Sequence, residues 1–206
     1  MSGQAPLAAA VVAGRSAQPL RPLRRGAHQG AGTRDRLLDG ALDELRRSGV
    51  EGLTVRGAAR RAGLAPTTAY TYVSSKEHLV AEVFARLVSA IPDEAPDSDA
   101  PAGRRVVAAL SPIAVAVAAE PQLARACTLS LLVDDPDVRR LRDQISHDWV
   151  RRVTTAVAGD ATPEQVAVVV LAWSGMLLAA GIGHLGYADI PAQVSVAAEV
   201  VLGPTR

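Results

Sequence analysis

Apolar positions recur along this chain of 206 residues at helical spacing, and the alternating runs that would suggest strands, such as 114–119, sit between helix signals. Leu37, Leu38, Ala41, Leu42 and Leu45 form one stripe, which predicts a helix from about Thr33 to Ser48 stopped by Gly49. Thr54 is placed to cap a second helix with Val55, Ala58, Ala59 and Ala62 inward, and Gly63 supplies the left-handed residue that ends it. After the turn Gly63-Leu64-Ala65, Pro66 suits the first position of a third helix that runs to about Val73. Ala69 and Val73 then face inward one turn apart, while Thr67, Thr68 and Thr71 fall on the opposite face, flanked by Tyr70 and Tyr72. Five hydroxyl groups crowd one short helix with no charge to solvate it, a pattern that a DNA-reading helix-turn-helix explains.

Ser74 to Glu77 read as a capping box, with Ser74 as the cap and Glu77 reciprocating, before a helix that continues from His78 to Ser89. Leu79, Val80, Val83, Phe84 and Leu87 crowd its apolar face, which suits a rod between two domains. Lys76 is the only lysine in the chain, and it stands in a first helical turn where the macrodipole disfavours a cation. A DNA phosphate would compensate it. A solvated surface lysine is the plainer alternative.

Pro92 to Pro101 hold three prolines and four acids, which no helix accommodates, so the domain boundary is expected at 91–101. Beyond it the pattern predicts helices at about Gly103–Glu120, with a kink at Pro112, then Gln122–Val133, Asp137–Ala158, Glu164–Leu185 and Pro191–Leu202. Asp135-Pro136-Asp137 and Thr162-Pro163-Glu164 each place a capping side chain, a first-turn proline and an acid at a helix start. Capping therefore accounts for the acids at 134–137 without a cation, and no metal or cofactor is expected. Residues 1–32, rich in Ala, Gly, Pro and Arg, read as a disordered basic arm. The apolar run 6–14 lacks the preceding basic residue of a signal peptide.

Composition changes this picture at two points. The chain is 49% hydrophobic but only 3% aromatic, so its core is aliphatic. Its net charge of +1 hides a split: residues 1–90 carry 13 Lys and Arg against 7 Asp and Glu, and 91–206 carry 9 against 14, which gives +6 and −5. A basic DNA-reading module joined to one with a different task has this asymmetry. Cys127 stands alone, so no internal disulfide framework exists and a reducing, cytoplasmic setting fits. Cys127, His147 and His184 lie in no nucleophile or acid–base motif, and no glycine-rich phosphate loop follows a strand, so the chain does not read as an enzyme.

The stretch LTVRGAARRAGLAPTTAYTYVSSKEHL at 53–79, within residues 34–88, resembles the DNA-binding domain of the TetR family of transcriptional regulators. It shares the family's threonine, alanine-rich helix, Ala-Gly-hydrophobic turn, Tyr-x-Tyr and Ser-Lys-Glu. Leu45, Val73 and Ala69 depart from it, standing where aromatic or larger residues are usual. The resemblance implies an all-α chain: a three-helix helix-turn-helix domain at 33–90 and a helical effector-binding and dimerisation domain at 102–206. It implies a homodimer on double-stranded DNA, most simply a repressor released from a palindromic operator by a small hydrophobic ligand. Thr67, Thr68 and Thr71 would meet bases, while Arg34, Thr54, Arg56, Tyr70, Tyr72 and Lys76 would position the backbone. The implied effector pocket involves Val107, Leu110, Cys127, Thr128, Leu131, Trp149, Trp173, Met176 and Leu177.

Residues 165–188 contain no Asp, Glu, Lys or Arg, which raises a rival: an all-helical membrane-associated or protein-interaction protein using the apolar helix near 166–185. Against a span stand Gly181, Gly183, Gly186 and His184 in its last third, no following basic cluster, and a central Trp173. A helix buried on one side in its own core and on the other in its twin would be apolar all round, so no membrane is expected.

Overall fold

Gly49, with φ of 68°, breaks the first helix where the hydrophobic stripe gives out, and a last turn carries the chain on to Gly52. This helix, α1 (Thr33–Gly52), opens a computed structural model that describes residues 32–93 and 97–203. The expected arm lies almost wholly outside those residues. Among the described residues the regular elements are all helical: α2 (Val55–Arg61), α3 (Pro66–Ala69), α4 (Lys76–Ser89), α5 (Ala102–Ala119), α6 (Pro121–Ser130), α7 (Pro136–Val157), α8 (Pro163–Gly181), a 3-10 turn (Tyr187–Asp189) and α9 (Ile190–Leu202).

The described chain divides into two units, one of 32–90 with 119–142 and one of 91–118 with 143–203. In the first, α1 packs on α2, α4 and α6, and α6 packs on α4. Leu37, Leu38, Leu45, Leu53, Leu79 and Phe84 fill its core. Gly40 is where α1 and α2 meet: a Cβ there would lie 2.5 Å from the Ala58 carbonyl oxygen and 3.0 Å from the Ala62 nitrogen. Only a residue without a side chain lets the two backbones come this close.

In the second unit α9 packs on α8. Two buried arginines tie this unit together. Arg105 donates to the last carbonyls of α7, Ala156 at 2.7 Å and Val157 at 2.8 Å, and pairs with Asp160, a cation at a helix C-terminus. Arg152 pairs with Asp148 one turn back and donates to the Ile91 carbonyl at 2.8 Å, which holds the chain segment before α5. Neither charge is visible in the apolar pattern, although Asp148 and Arg152 stand four apart.

Helix ends follow their caps. The Asp135 carboxylate accepts from the Asp137 and Val138 amides, which holds it below its ordinary acidity range, and Thr162 forms a capping box with Gln165. α5 continues through Pro112 without interruption. α8 stops at Gly181, four residues short of the sequence expectation, because Gly183 at φ of 85° lets the His184 and Gly183 amides turn back onto the Ala179 and Ala180 carbonyls. Both α5 and α8 are long and apolar enough to cross a membrane, with mean hydropathies of 1.4 and 1.5.

Candidate nucleic-acid interface

The second and third helices are joined by a turn whose geometry the sequence dictates. Thr54 Oγ1 accepts from the Gly57 amide at 2.9 Å and starts α2. At the other end the Gly63 amide bonds the Arg60 carbonyl and the Leu64 amide bonds the Ala59 carbonyl at 2.8 Å, with Gly63 at φ of 65°. This pair of bonds is the Schellman closure, and it turns the chain sharply into Ala65-Pro66.

Regular α3 extends only from Pro66 to Ala69; the next residues continue in tighter bonds, Thr71 to the Thr68 carbonyl and Tyr72 to the Ala69 carbonyl, instead of the expected regular helix to Val73. A Thr71 hydroxyl that donates to the Thr68 carbonyl at 2.7 Å accompanies this tightening. The facing is as the pattern predicts. Ala69 and Val73 are buried, and Thr67, Tyr70, Thr71 and Tyr72 are exposed with Thr68 half-buried. The helix therefore presents hydroxyls, methyls and phenol rings and no charge, groups that bond base edges and phosphates alike.

The cap of α4 is a correction. Ser75, not Ser74, is the N-cap: its backbone is extended and its Oγ accepts from the His78 amide at 3.0 Å. The Ser74–Glu77 box does not form, because Ser74 is occupied elsewhere. Its amide and hydroxyl both meet His78 Nδ1, at 3.1 and 3.0 Å, and its hydroxyl reaches Asp137 Oδ2 at 3.0 Å. The start of α4 is thereby tied to the first turn of α7 within the same unit.

The charged candidates divide. Arg56 is exposed at the start of α2, beside the capped Thr54, and Arg36, Arg47 and Arg60 are exposed in the same unit. Arg34 is engaged: it forms an ion pair with the buried Glu82 on α4. Burial raises the Glu82 carboxyl, but the His78 ring 3.4 Å away and the Arg34 and Arg140 charges outweigh it and hold it below its ordinary range. Arg61 pairs with the buried Glu44, whose carboxylate lies over Gly57. Lys76 donates to the Val50 carbonyl at 2.6 Å.

The nine residues of the expected effector pocket are divided between the two units. Cys127, Thr128 and Leu131 belong to the first unit, where burial pushes the Cys127 thiol up and Thr128 bonds the Ala124 carbonyl. Val107, Leu110, Trp149, Trp173, Met176 and Leu177 belong to the second, and there the structure brings Trp149 and Trp173 edge to face. A cavity of about 210 Å³ in the second unit shares none of these residues; Asp93, Arg105, Pro112, Arg152 and Thr155 are among its walls.

A capped helix, a glycine-closed turn and a short uncharged reading helix on a three-helix core define a helix-turn-helix DNA-binding protein. Residues 37–83 match the model of the bacterial regulatory proteins of the tetR family. An uncharacterized HTH-type transcriptional regulator of Mycobacterium tuberculosis is 40% identical over 169 residues, covering 81% of this chain and 79% of that one. The HTH-type transcriptional repressor KstR of Rhodococcus jostii is 28% identical over 178 residues, covering 82% of each. Two solved structures share the fold. A TetR transcriptional regulator from Rhodococcus sp. RHA1 has a TM-score of 0.66 at 19% identity, covering 82% of this chain and 94% of that one. The regulator FadR from Bacillus subtilis, in complex with stearoyl-CoA, has 0.55 at 16%, covering 82% and 98%. The chain belongs to the TetR family and is a DNA-binding transcriptional regulator.

Proposed function

We propose that the protein is a cytoplasmic, homodimeric repressor that binds a pseudo-palindromic operator and is released from it by a small, mainly hydrophobic effector. The observation that carries this reading is the outward face of α3, where Thr67, Thr68, Tyr70, Thr71 and Tyr72 stand free of charge above a buried Ala69 and Val73. Thr67, Thr68 and Thr71 meet base edges, and Tyr70, Tyr72, Thr54 and Arg56 meet the sugar–phosphate backbone. Lys76 and Arg34 act mainly by holding α4 to α1, and the remaining N–H groups of Lys76 contribute one phosphate contact.

Dimerisation has its own support. Val168, Leu171, Gly175 and Leu178 are exposed along α8 at spacings of three and four, with Ile182 exposed at its C-cap, an apolar seam on one side of the helix. Val196 and Val200 are exposed on the α9 that packs on it. A monomer exposing both is poorly suited to water, whereas two copies of the seam bury one another. The effector reading is supported by the apolar second unit and rests on Leu110, Trp149, Trp173, Met176 and Leu177. Its test is fluorescence anisotropy on the duplex DNA upstream of the protein's own gene. Salt-dependent binding is expected, reversed by lipophiles that raise the melting temperature; ligands that bind without changing operator affinity would refute release.

A further inference from the structure

The indole nitrogens of Trp149 and Trp173 are sealed from solvent and have no hydrogen-bond partner in the protein, although the residues are only 7% and 1% exposed. An indole N–H is a donor and nothing else, and buried donors are almost always satisfied. Here two are orphaned side by side, on α7 and α8, with ring centroids 6.0 Å apart and planes at 88°. In an edge-to-face pair one N–H at most points into the other ring, so at least one donor has nothing to meet. Aliphatic packing does not require this. Phenylalanine at either position would supply a ring without the desolvated donor.

We propose that Trp149 and Trp173 form a donor pair for the neutral oxygen acceptor of an otherwise apolar ligand held between α7 and α8. The proposal rests on the effector reading above and gives it a chemical class: a lipophile bearing a ketone, ester or ether oxygen, not a plain hydrocarbon and not an anion. An oxygen acceptor satisfies what these helices leave open. The ligand is neutral because the buried cations of this unit are already committed, Arg105 to Asp160 and the end of α7, Arg152 to Asp148 and Asp93. A carboxylate placed there would lose its hydration with only neutral donors in return. Met176 and Leu177, half-buried one turn along α8 from Trp173, mark where the ligand's apolar body extends.

The chain has two tryptophans, so the full-length protein labelled with nitrogen-15 gives two indole N–H resonances that report on the two donors directly. The probes are methyl octyl ketone and the alkene in which a CH2 group replaces its oxygen, a pair alike in shape of which only the ketone offers an acceptor. The ketone is expected to bind about tenfold tighter, equivalent to about 1.4 kcal/mol, and to move at least one indole proton downfield while the alkene moves neither that way. Trp149→Phe with Trp173→Phe is expected to bind the two probes alike; should that variant fail to fold, the comparison on the unaltered protein decides alone. Equal affinity for the two probes, unmoved indole resonances with the ketone bound, or no binding of either probe would overturn the donor pair. A ketone that binds through the indoles but leaves operator affinity unchanged would instead overturn the effector reading and leave the site standing.

Discussion

Lys76 Nζ donates to the Val50 carbonyl across 2.6 Å, so the only lysine of the chain fastens the start of α4 to the end of α1. The bond answers the cost of a cation in a first helical turn, and the kink at Gly49 is what brings the last turn of α1 to that position. Lys76→Ala is expected to cost about 1.5 kcal/mol, lowering the melting temperature by roughly 3–6 °C. Two N–H groups of the ammonium remain for a phosphate, so the slope of log affinity on log salt is expected to fall by about one for every duplex alike. A lower melting temperature with an unaltered slope would assign Lys76 to the helix joint alone.

Gly40→Ala tests the crossing of α1 and α2. The added methyl would meet backbone, the Ala58 carbonyl and the Ala62 amide, which have no rotamer to change. A loss of about 1–3 kcal/mol is expected in thermal or urea unfolding, with a matching loss of operator affinity because α2 holds the turn into α3.

Acid should loosen the first unit through Glu82. Its folded carboxyl is held below the ordinary 4.5, so it binds protons less readily when folded than when unfolded. Its contribution to stability is thus complete above about pH 4.5 and is lost as pH falls through the lower folded value. The Arg34 pair that joins α1 to α4, and the His78 contact one turn back on α4, go with it. Urea titrations across this range should show the decline, and Glu82→Gln should flatten it while lowering stability at neutral pH.

Leu171→Glu places a charge in the middle of the exposed α8 seam. Light scattering should show a dimer for the unaltered protein and a folded monomer for the variant, with operator affinity reduced by more than tenfold since one half-site is then bound at a time. A monomeric unaltered protein, or one that partitions into lipid vesicles, would contradict the seam's assignment.

Helix order and facing were legible because periodicity survives in an aliphatic chain. Ala69 and Val73 are inward and the threonines outward, as two apolar residues one turn apart require, and Thr54, Gly63, Asp135 and Thr162 mark helix ends by backbone chemistry that depends on few neighbours. The cap of α4 was missed by one residue because two consecutive serines offer the same hydroxyl, and only the engagement of Ser74 with His78 and Asp137 decides between them. Contacts across long separations left no trace in the pattern: Arg34 with Glu82, Arg61 with Glu44, Arg105 with the end of α7. A basic residue reads alike in sequence whether it faces water, a phosphate or a buried carboxylate.

The central claim, that the uncharged face of α3 reads DNA sequence, is tested most directly by selecting binding sites from a pool of random duplexes with the unaltered protein and with Thr67→Ala and Thr71→Ala. The unaltered protein should enrich one pseudo-palindrome, and each variant, with melting temperature and low-salt non-specific affinity preserved, should lose discrimination at one base step in each half-site, worth about 1–3 kcal/mol. Enrichment of the same sequence with the same stringency by all three proteins would contradict it.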